Sequence, residues 1–254
     1  QQNAIPYEII IVNDNSTDNT GAVIADLIAA DPCIRTIDRD PPSGFGRAIR
    51  SGLELVEGDV VFIYMADSSD DPADALIYYR KIEEGFDCVF GSRFRRGSKV
   101  TNYPKFKLLV NRMVNRCIQL MFFCPFNDLT NAFKAYRTHV ILECGPYRAS
   151  HFNITIELSL SALVRKYSIA EVPINWYGRT WGNSSLSLRK MGRRYLSTLI
   201  KVYGEKLLIS DDLITERLAN RAKQSSDMNR LQNRISELEA KIDKIEVQNT
   251  SQDV

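Results

Sequence analysis

Between residues 8 and 91 the chain repeats one pattern: a short apolar run, a polar cluster, then a stretch with helical spacing. Glu8 is followed by Ile9, Ile10, Ile11 and Val12, and the run ends in Asn13, Asp14, Asn15 and Ser16. That is the pattern of a buried parallel strand entering a polar loop. Residues 20–30 predict a helix, 34–37 a second strand, 40–46 a Pro/Gly loop and 47–56 a second helix. A third strand over 59–64 runs into Asp67, Ser68, Ser69, Asp70 and Asp71, and Pro72 then opens a helix to Glu84; a fourth strand spans 87–91. Such alternation predicts a largely parallel sheet covered by helices on both faces. Ligands of these sheets bind in loops at the carboxyl ends of the strands. The polar clusters at 13–18, 67–71 and 91–93 all follow strands, so they are expected to line one crevice.

The second half reads differently. Residues 106–124 have helical spacing, with Phe106, Leu109, Val110, Met113, Cys117, Leu120 and Met121 on one face and Lys105, Lys107, Arg112 and Arg116 elsewhere. Such a helix either covers a core or, through its basic edge, lies at a membrane surface. Residues 171–176 predict a strand, 179–187 a loop, and from Leu188 a basic helix carries Arg189, Lys190, Arg193, Arg194 and Lys201. No stretch reads as a membrane span: the most apolar run, 117–126, contains Gln119, ends near Pro125 and falls short of the roughly 20 residues required. Near Asp211 the composition changes, and from Ala222 onward glycine, proline and aromatic residues are absent. Met228, Leu231, Ile235, Leu238, Ile242 and Ile245 follow the alternating three-and-four spacing of a heptad seam. The expected organisation is an α/β domain over 1–210, a linker over 211–226, a short coiled-coil helix over 227–248 and a disordered tail over 249–254. The seam at 228–245 either joins copies of the chain or packs back as a lone amphipathic helix.

Composition adds exclusions. The 254 residues are 44% hydrophobic and 25% charged, ordinary for a folded chain and enough for one sizeable α/β domain with an appendage. A net charge of +2 singles out no partner, and nothing points to nucleic acid. The five cysteines are odd in number and form no Cys-x-x-Cys pair, which argues against a disulfide framework or zinc site and fits a reducing compartment. His139 and His151 are too isolated for a histidine-rich metal site.

Several loop residues are candidates for chemistry. Asp67, directly after a buried strand, is an oxygen ligand for a divalent cation. Asp71 precedes Pro72 and reads as a helix cap. Asp14 and Asp18 either accept an N–H from a base or cap the next helix. Gly44-Phe45-Gly46 is a poor match to a dinucleotide fingerprint, with Ile49 where the third glycine belongs. Arg93 has the fork suited to phosphate, or forms an ion pair. Glu157 is either a buried acid or a charge on a helix face.

The order of these motifs resembles glycosyltransferase family 2, in particular its dolichol- and polyprenyl-phosphate sugar synthases, over approximately residues 5 to 200. The stretch from Ile11 to Thr20 resembles the family's nucleotide loop, with Asp14 at its second aspartate. Gly44-Phe45-Gly46-Arg47-Ala48 resembles the helix start beneath the donor. Met65-Ala66-Asp67-Ser68-Ser69 stands where the family has Asp-x-Asp-x-Gln, so Met65 and Ser69 depart from the pattern. Gly91-Ser92-Arg93, the helix start at Tyr103-Pro104-Lys105-Phe106-Lys107 with Asn111 and Asn115, Asp128-Leu129-Thr130 through Phe133-Lys134, and Val172-Pro173-Ile174 followed by Arg179 through Ser184 complete the series, with Ser185 in place of the usual lysine.

The resemblance implies a GT-A fold, an α/β, Rossmann-like, mixed and mostly parallel sheet between helices, to which the C-terminal helical tail is added. It implies inverting transfer of a hexose from a UDP- or GDP-sugar to a lipid phosphate. Asn13, Asp14, Ser16, Gly44, Gly46 and Arg179 would meet the donor, and Arg93, Lys107, Asn111 and Lys134 the acceptor. Asp67 with Ser69 would hold Mg2+ or Mn2+, and Asp67, Arg93 and Asp128 would carry catalysis. The expected place is the cytoplasmic face of a membrane, as a peripheral protein. Two rival readings remain: a sugar-hydroxyl acceptor with Asp128 or Glu157 as base, and a non-catalytic scaffold. The family's first strand has no counterpart before Pro6, which predicts a natural protein longer by about 30 residues, the length of one βα unit.

Overall fold

The computed structural model describes residues 5–178, 188–209 and parts of 215–236. The chain divides into two units, 1–207 and 208–254. In chain order the first unit contains β1 (Ile9–Asn13), α1 (Thr20–Ala30), β2 (Ile34–Asp38), α2 (Phe45–Leu53), β3 (Val60–Ile63), α3 (Asp74–Glu83), β4 (Cys88–Ser92) and β5 (Lys99–Thr101). There follow α4 (Lys105–Phe122), β6 (Lys134–Arg137), α5 (Thr138–Cys144), α6 (Ile154–Val164), β7 (Ile169–Pro173), β8 (Asn175–Tyr177) and α7 (Leu188–Leu208).

The strands pair in three sets. β1 and β2 run parallel, from Ile9 opposite Ile34 to Asn13 opposite Asp38. A four-stranded sheet has the order β3-β6-β4-β7, with β6 antiparallel to both neighbours and β7 parallel to β4. β5 and β8 form a small parallel pair. The α/β expectation holds, and the sheet is mixed because β6 is inserted. The single strand expected over 171–176 is two: β7 ends at Pro173, which has no N–H to offer. Ile174 then donates to the Ser92 carbonyl at 3.2 Å, and Asn175 starts the strand that pairs with β5.

The core under the four-stranded sheet is aromatic. Tyr78 of α3 stacks on Phe133 at 4.6 Å between ring centroids, among Val89, Ala135, Ala170 and Val172. Gly91 is required here, because a Cβ would lie 1.8 Å from the Tyr78 hydroxyl. That hydroxyl donates to the Phe133 carbonyl at 3.0 Å. α6 is buried on nearly every side, from Ile154 and Ile156 to Ser159 and Ala162, its polar Thr155, Glu157, Ser159 and Ser161 included.

α4 is turned opposite to the simplest reading of its pattern. Asn115, Ile118 and Phe122 face inward, while Phe106, Leu109, Met113 and Leu120 are between 61% and 67% exposed. The apolar stripe predicted from the sequence therefore faces outward, with Lys105, Lys107, Arg112 and Arg116 also exposed.

In the second unit the described residues of 215–236 are helical, and Met228, Leu231 and Ile235 are exposed. Leu238, Ile242 and Ile245 lie outside the described residues. Among the described residues no helix is long and apolar enough to cross a membrane, and the five cysteines are free thiols.

Candidate active site

β4, an interior strand of the four-stranded sheet, delivers Arg93 directly after its carboxyl end. Its Nε and Nη2 donate to the two oxygens of Asp128 at 2.8 and 2.7 Å, and its backbone N–H adds a third bond to Oδ2 at 3.0 Å. The Asp128 side chain is fully buried and that of Arg93 is 8% exposed. Tyr103 and Trp176, with rings 4.9 Å apart, flank the guanidinium at 5.4 and 5.7 Å, and Phe94 lies at 5.5 Å. Burial opposes the charge on Arg93, but the Asp128 carboxylate outweighs it and raises the guanidinium's pKa further. Such a two-pronged pair fixes orientation as well as charge.

The pair is wired to α4. The Thr130 hydroxyl donates to Asp128 Oδ1 at 3.3 Å, and the side-chain amides of Asn111 and Asn115 donate to Thr130 Oγ1 at 2.8 and 3.0 Å. Asn111, expected at the acceptor, thus acts on the structure through Thr130. With both oxygens engaged by Arg93 and Thr130, Asp128 is an anchor and is poorly placed to take a proton.

Beside this pair the β3–α3 loop carries its carboxylates. Asp67 Oδ1 accepts the Ser69 N–H at 3.1 Å, across Ser68 in the left-handed region at φ 55°. Ser69 is buried and its carbonyl accepts the Tyr177 N–H at 2.8 Å. Asp70 is 4% exposed, and its Oδ1 is buried without a hydrogen-bond partner. Burial, then the charge of Asp67, pushes the Asp70 carboxyl up to about 7, while Arg93 pulls the other way. Asp71 Oδ1 accepts the Ala73 N–H at 3.0 Å and so shapes the entry to α3, as its position before Pro72 suggests.

The β1 and β2 ends form a second cluster. Asp14 Oδ1 takes an Arg39 guanidinium N–H and Oδ2 accepts the Gly44 N–H at 2.6 Å. Asn13 donates to Asp38 at 2.7 Å and accepts the Ser16 N–H at 3.2 Å. A Cβ on Gly44 would meet the Ser150 carbonyl at 2.3 Å, so α2 starts against the 149–151 backbone, with Gly46 equally tight there. Phe45 stacks on Phe152 at 4.6 Å. Asp18 accepts the Thr20 N–H at 3.0 Å and serves the start of α1.

The remaining expected residues lie apart. Lys107 is exposed on the first turn of α4. Lys134, expected at the acceptor, is a core group: it is 1% exposed and donates to the carbonyls of Leu129 and Thr155 at 2.7 and 3.3 Å and to Ser159 Oγ. Burial draws its ammonium down to about 7, and β6 points it inward at α6. Glu157 is also saturated, by the N–H groups of Arg148 and Ala149 and by Lys201 at 2.6 Å, so it is no open base. Arg179 lies outside the described residues.

Sequence reasoning missed Arg39 and Trp176 as site components, and it named Asp70 only as part of the acidic loop and Tyr103 only as the start of a helix motif. Arg39 sits between two aspartates and reads as a surface charge. Asp70 has no mark beyond its place in an acidic loop. The aromatic walls come from segments far apart in sequence, joined only by the β5–β8 pairing.

The family description "Glycosyl transferase family 2" matches residues 1–145. The polyprenol monophosphomannose synthase of Mycolicibacterium smegmatis is 29% identical over 185 residues, 70% of this chain and 70% of that protein. The dolichol-phosphate mannosyltransferase of Pyrococcus furiosus is 30% identical over 207 residues, 78% of this chain and 56% of that longer protein. Among solved structures, glucosyl-3-phosphoglycerate synthase from Mycobacterium tuberculosis in complex with phosphoglyceric acid superposes with a TM-score of 0.57 at 19% identity, covering 78% of this chain and 69% of that one. Another structure of that enzyme, with Mn2+, UDP-glucose and phosphoglyceric acid, gives 0.54 at 19% identity over 77% of this chain and 68% of that one. These neighbours share the GT-A fold, and the match over more than half its length places the chain in glycosyl transferase family 2, as a glycosyltransferase similar to the polyprenyl-phosphate mannose synthases.

Proposed function

We propose that the chain transfers a hexose from a UDP- or GDP-sugar to a polyprenyl or dolichyl phosphate at the cytoplasmic face of a membrane, with inversion. The observation that carries this reading is the Arg93–Asp128 pair, a guanidinium kept charged and oriented inside an aromatic frame beside the acidic loop. A lipid phosphate is already ionised at neutral pH, so it needs placement and charge balance more than a base. Arg93 supplies fixed positive charge toward the acceptor, and Lys107 adds exposed charge on the first turn of α4. Asp14, held by Arg39 and Gly44, sits where the donor's base is recognised, with Asn13 and Ser16 shaping the loop and Gly46 holding α2 close.

A divalent cation fits the acidic loop by its donor chemistry. Among the described residues no group of three His, Cys, Asp or Glu side chains is gathered for a metal. Mg2+ and Mn2+, however, commonly take only one or two carboxylates and complete their shell with phosphate and water. The oxygens present are those of Asp67 and the orphaned Oδ1 of Asp70, with Ser69 adjacent. The ion, when bound, supplies charge screening for the departing diphosphate. Asp67 would hold it, and the Ser69 N–H fixes one oxygen of that carboxylate.

Membrane contact is supported by the outward apolar stripe of α4 and its basic neighbours, a composition suited to an anionic surface. The exposed residues Met228, Leu231 and Ile235 belong to the seam by which copies of the chain are proposed to associate.

A sugar-hydroxyl acceptor is favoured by one observation, the buried carboxyl of Asp70 with its unpartnered oxygen, which has the properties of a base. One experiment separates the readings. The full chain is incubated with polyprenyl phosphate, Mg2+ or Mn2+ and a panel of UDP- and GDP-sugars, and products are detected by mass spectrometry. A sugar-phosphate-lipid that disappears in Arg93→Gln and persists in Asp70→Asn upholds the lipid-phosphate reading. Donor binding without lipid product moves the assignment to a hydroxyl acceptor, and no donor binding moves it to a scaffold.

A further inference from the structure

A cavity of about 210 Å3 lies between the 148–151 loop, the start of α6 and α7. Arg148, His151, Asn153, Arg194, Ser197 and Lys201 contribute to its wall. Asn153 is 6% exposed; its amide nitrogen donates to Thr198 Oγ1 at 2.9 Å, and its Oδ1 is buried without a partner. Leaving a buried acceptor unpaired costs about 1–3 kcal/mol, so the cavity calls for a hydroxyl or N–H donor at that point.

The charge of the wall calls for something else as well. Glu157 is filled by two backbone N–H groups and Lys201. Among the described residues no carboxylate pairs with Arg148 or Arg194, so the cavity holds an excess of cations. The pKa of His151 is drawn down by burial and then by Arg194 and Arg47, with Asp14 opposing them. The space is several times the roughly 30 Å3 share of one liquid water. It admits a phosphate with a short polyol attached, the phosphate toward the arginines and a hydroxyl on Asn153 Oδ1.

We propose that this cavity is a second binding site, bordering the proposed donor loop through His151, for a phosphate ester that carries a neighbouring hydroxyl. A soluble glycerol phosphate and the glycerol phosphate headgroup of a lipid share that chemistry. Leu196 and Ile200, exposed on α7 beside the cavity residues Ser197 and Lys201, suit the lipid source.

The test uses the full chain with two probes: sn-glycerol 3-phosphate by titration calorimetry, and phosphatidylglycerol vesicles by cosedimentation, with phosphatidylcholine vesicles as control. Arg194→Gln and Asn153→Asp are compared, each checked for unchanged thermal unfolding; the second keeps the side-chain shape but places a negative charge where the hydroxyl should sit. Binding of glycerol 3-phosphate that weakens ~10-fold or more in either correctly folded variant, and that saturating UDP and GDP leave in place, establishes the site with a soluble ligand. The same variant dependence seen only with phosphatidylglycerol vesicles establishes it with a lipid headgroup. Failure of both probes, binding indifferent to both variants, or displacement by UDP or GDP overturns the proposal. Because the readout is binding to a site without the donor, its failure is separate from failure of the transferase reading.

Discussion

Asp128 and Glu157 are both buried carboxylates that answer a cation, and they are built differently. Asp128 meets Arg93 through two side-chain bonds and one backbone bond, with 0% and 8% side-chain exposure. Glu157 meets Lys201 through one bond at 2.6 Å, with 1% and 35% exposure, and takes its other donors from the 148–149 backbone. The first pair fixes a planar cation in one orientation within an aromatic frame. The second pins a loop to α6 and leaves its cation half in water. A fixed guanidinium suits a task with one geometry, whereas a half-solvated ammonium can turn toward an incoming anion. The difference between a fixed frame and an adaptable contact is thus written in the choice of arginine or lysine.

Breaking the first pair should have the largest effect. Asp128→Asn leaves a buried guanidinium without its counter-charge, which costs about 3–5 kcal/mol. Urea unfolding should show that loss together with loss of transfer activity, and a cost under about 1 kcal/mol would show that the Asp128 anchor is not what holds Arg93. Glu157→Gln keeps the shape and one acceptor but removes the charge opposite Lys201. Its expected cost is smaller, about 2 kcal/mol. Equal losses for the two variants would erase the contrast drawn between the pairs.

Asp70 sharpens the comparison as a buried carboxyl with an oxygen that nothing answers. Its pKa is raised from 3.8 to about 7, so the folded chain keeps that proton over a range in which the unfolded chain has lost it. The folded state then binds more protons, and stability falls as pH rises from about 4 to about 7. Asp70→Asn cannot ionise and should escape this fall. The variant should gain on the order of 4 kcal/mol over the natural chain at pH 8 and show no such gain near pH 4, measured by denaturant titration at both values. A gain independent of pH would mean that the carboxyl is not under electrostatic strain.

Much of the fold was legible because β1, β3 and β4 are short apolar runs with polar ends, the pattern of strands under cover. β6 was not, since Lys134 and Arg137 disguise it; both charges find partners inside the structure, Lys134 on carbonyls and Ser159, Arg137 on the carbonyls of Ile82 and Phe86. α6 is buried nearly all round, so it has no amphipathic period to read. For α4 the stripe was legible but its direction was not, because inward amides replace part of an apolar seal. At the site, Asp67, Arg93 and Asp128 stood out by position after strands or within motifs. The pairing of Arg93 with Asp128, 35 residues apart, and the burial of Asp70 depend on how distant segments meet, which no local pattern encodes.

The missing methyl at position 91 has a mechanical meaning. Through that gap the Tyr78 phenol crosses from α3 past β4 to the Phe133 carbonyl ahead of β6. One rigid ring therefore clamps the base of two loops, the one bearing Asp67 and Asp70 and the one bearing Arg93. Those loops are expected to travel as a single stiff body. Any adjustment to an arriving substrate falls instead to the segments around Asp14 and Arg39, where the joints are ion pairs and turns that loosen without disturbing a packed ring.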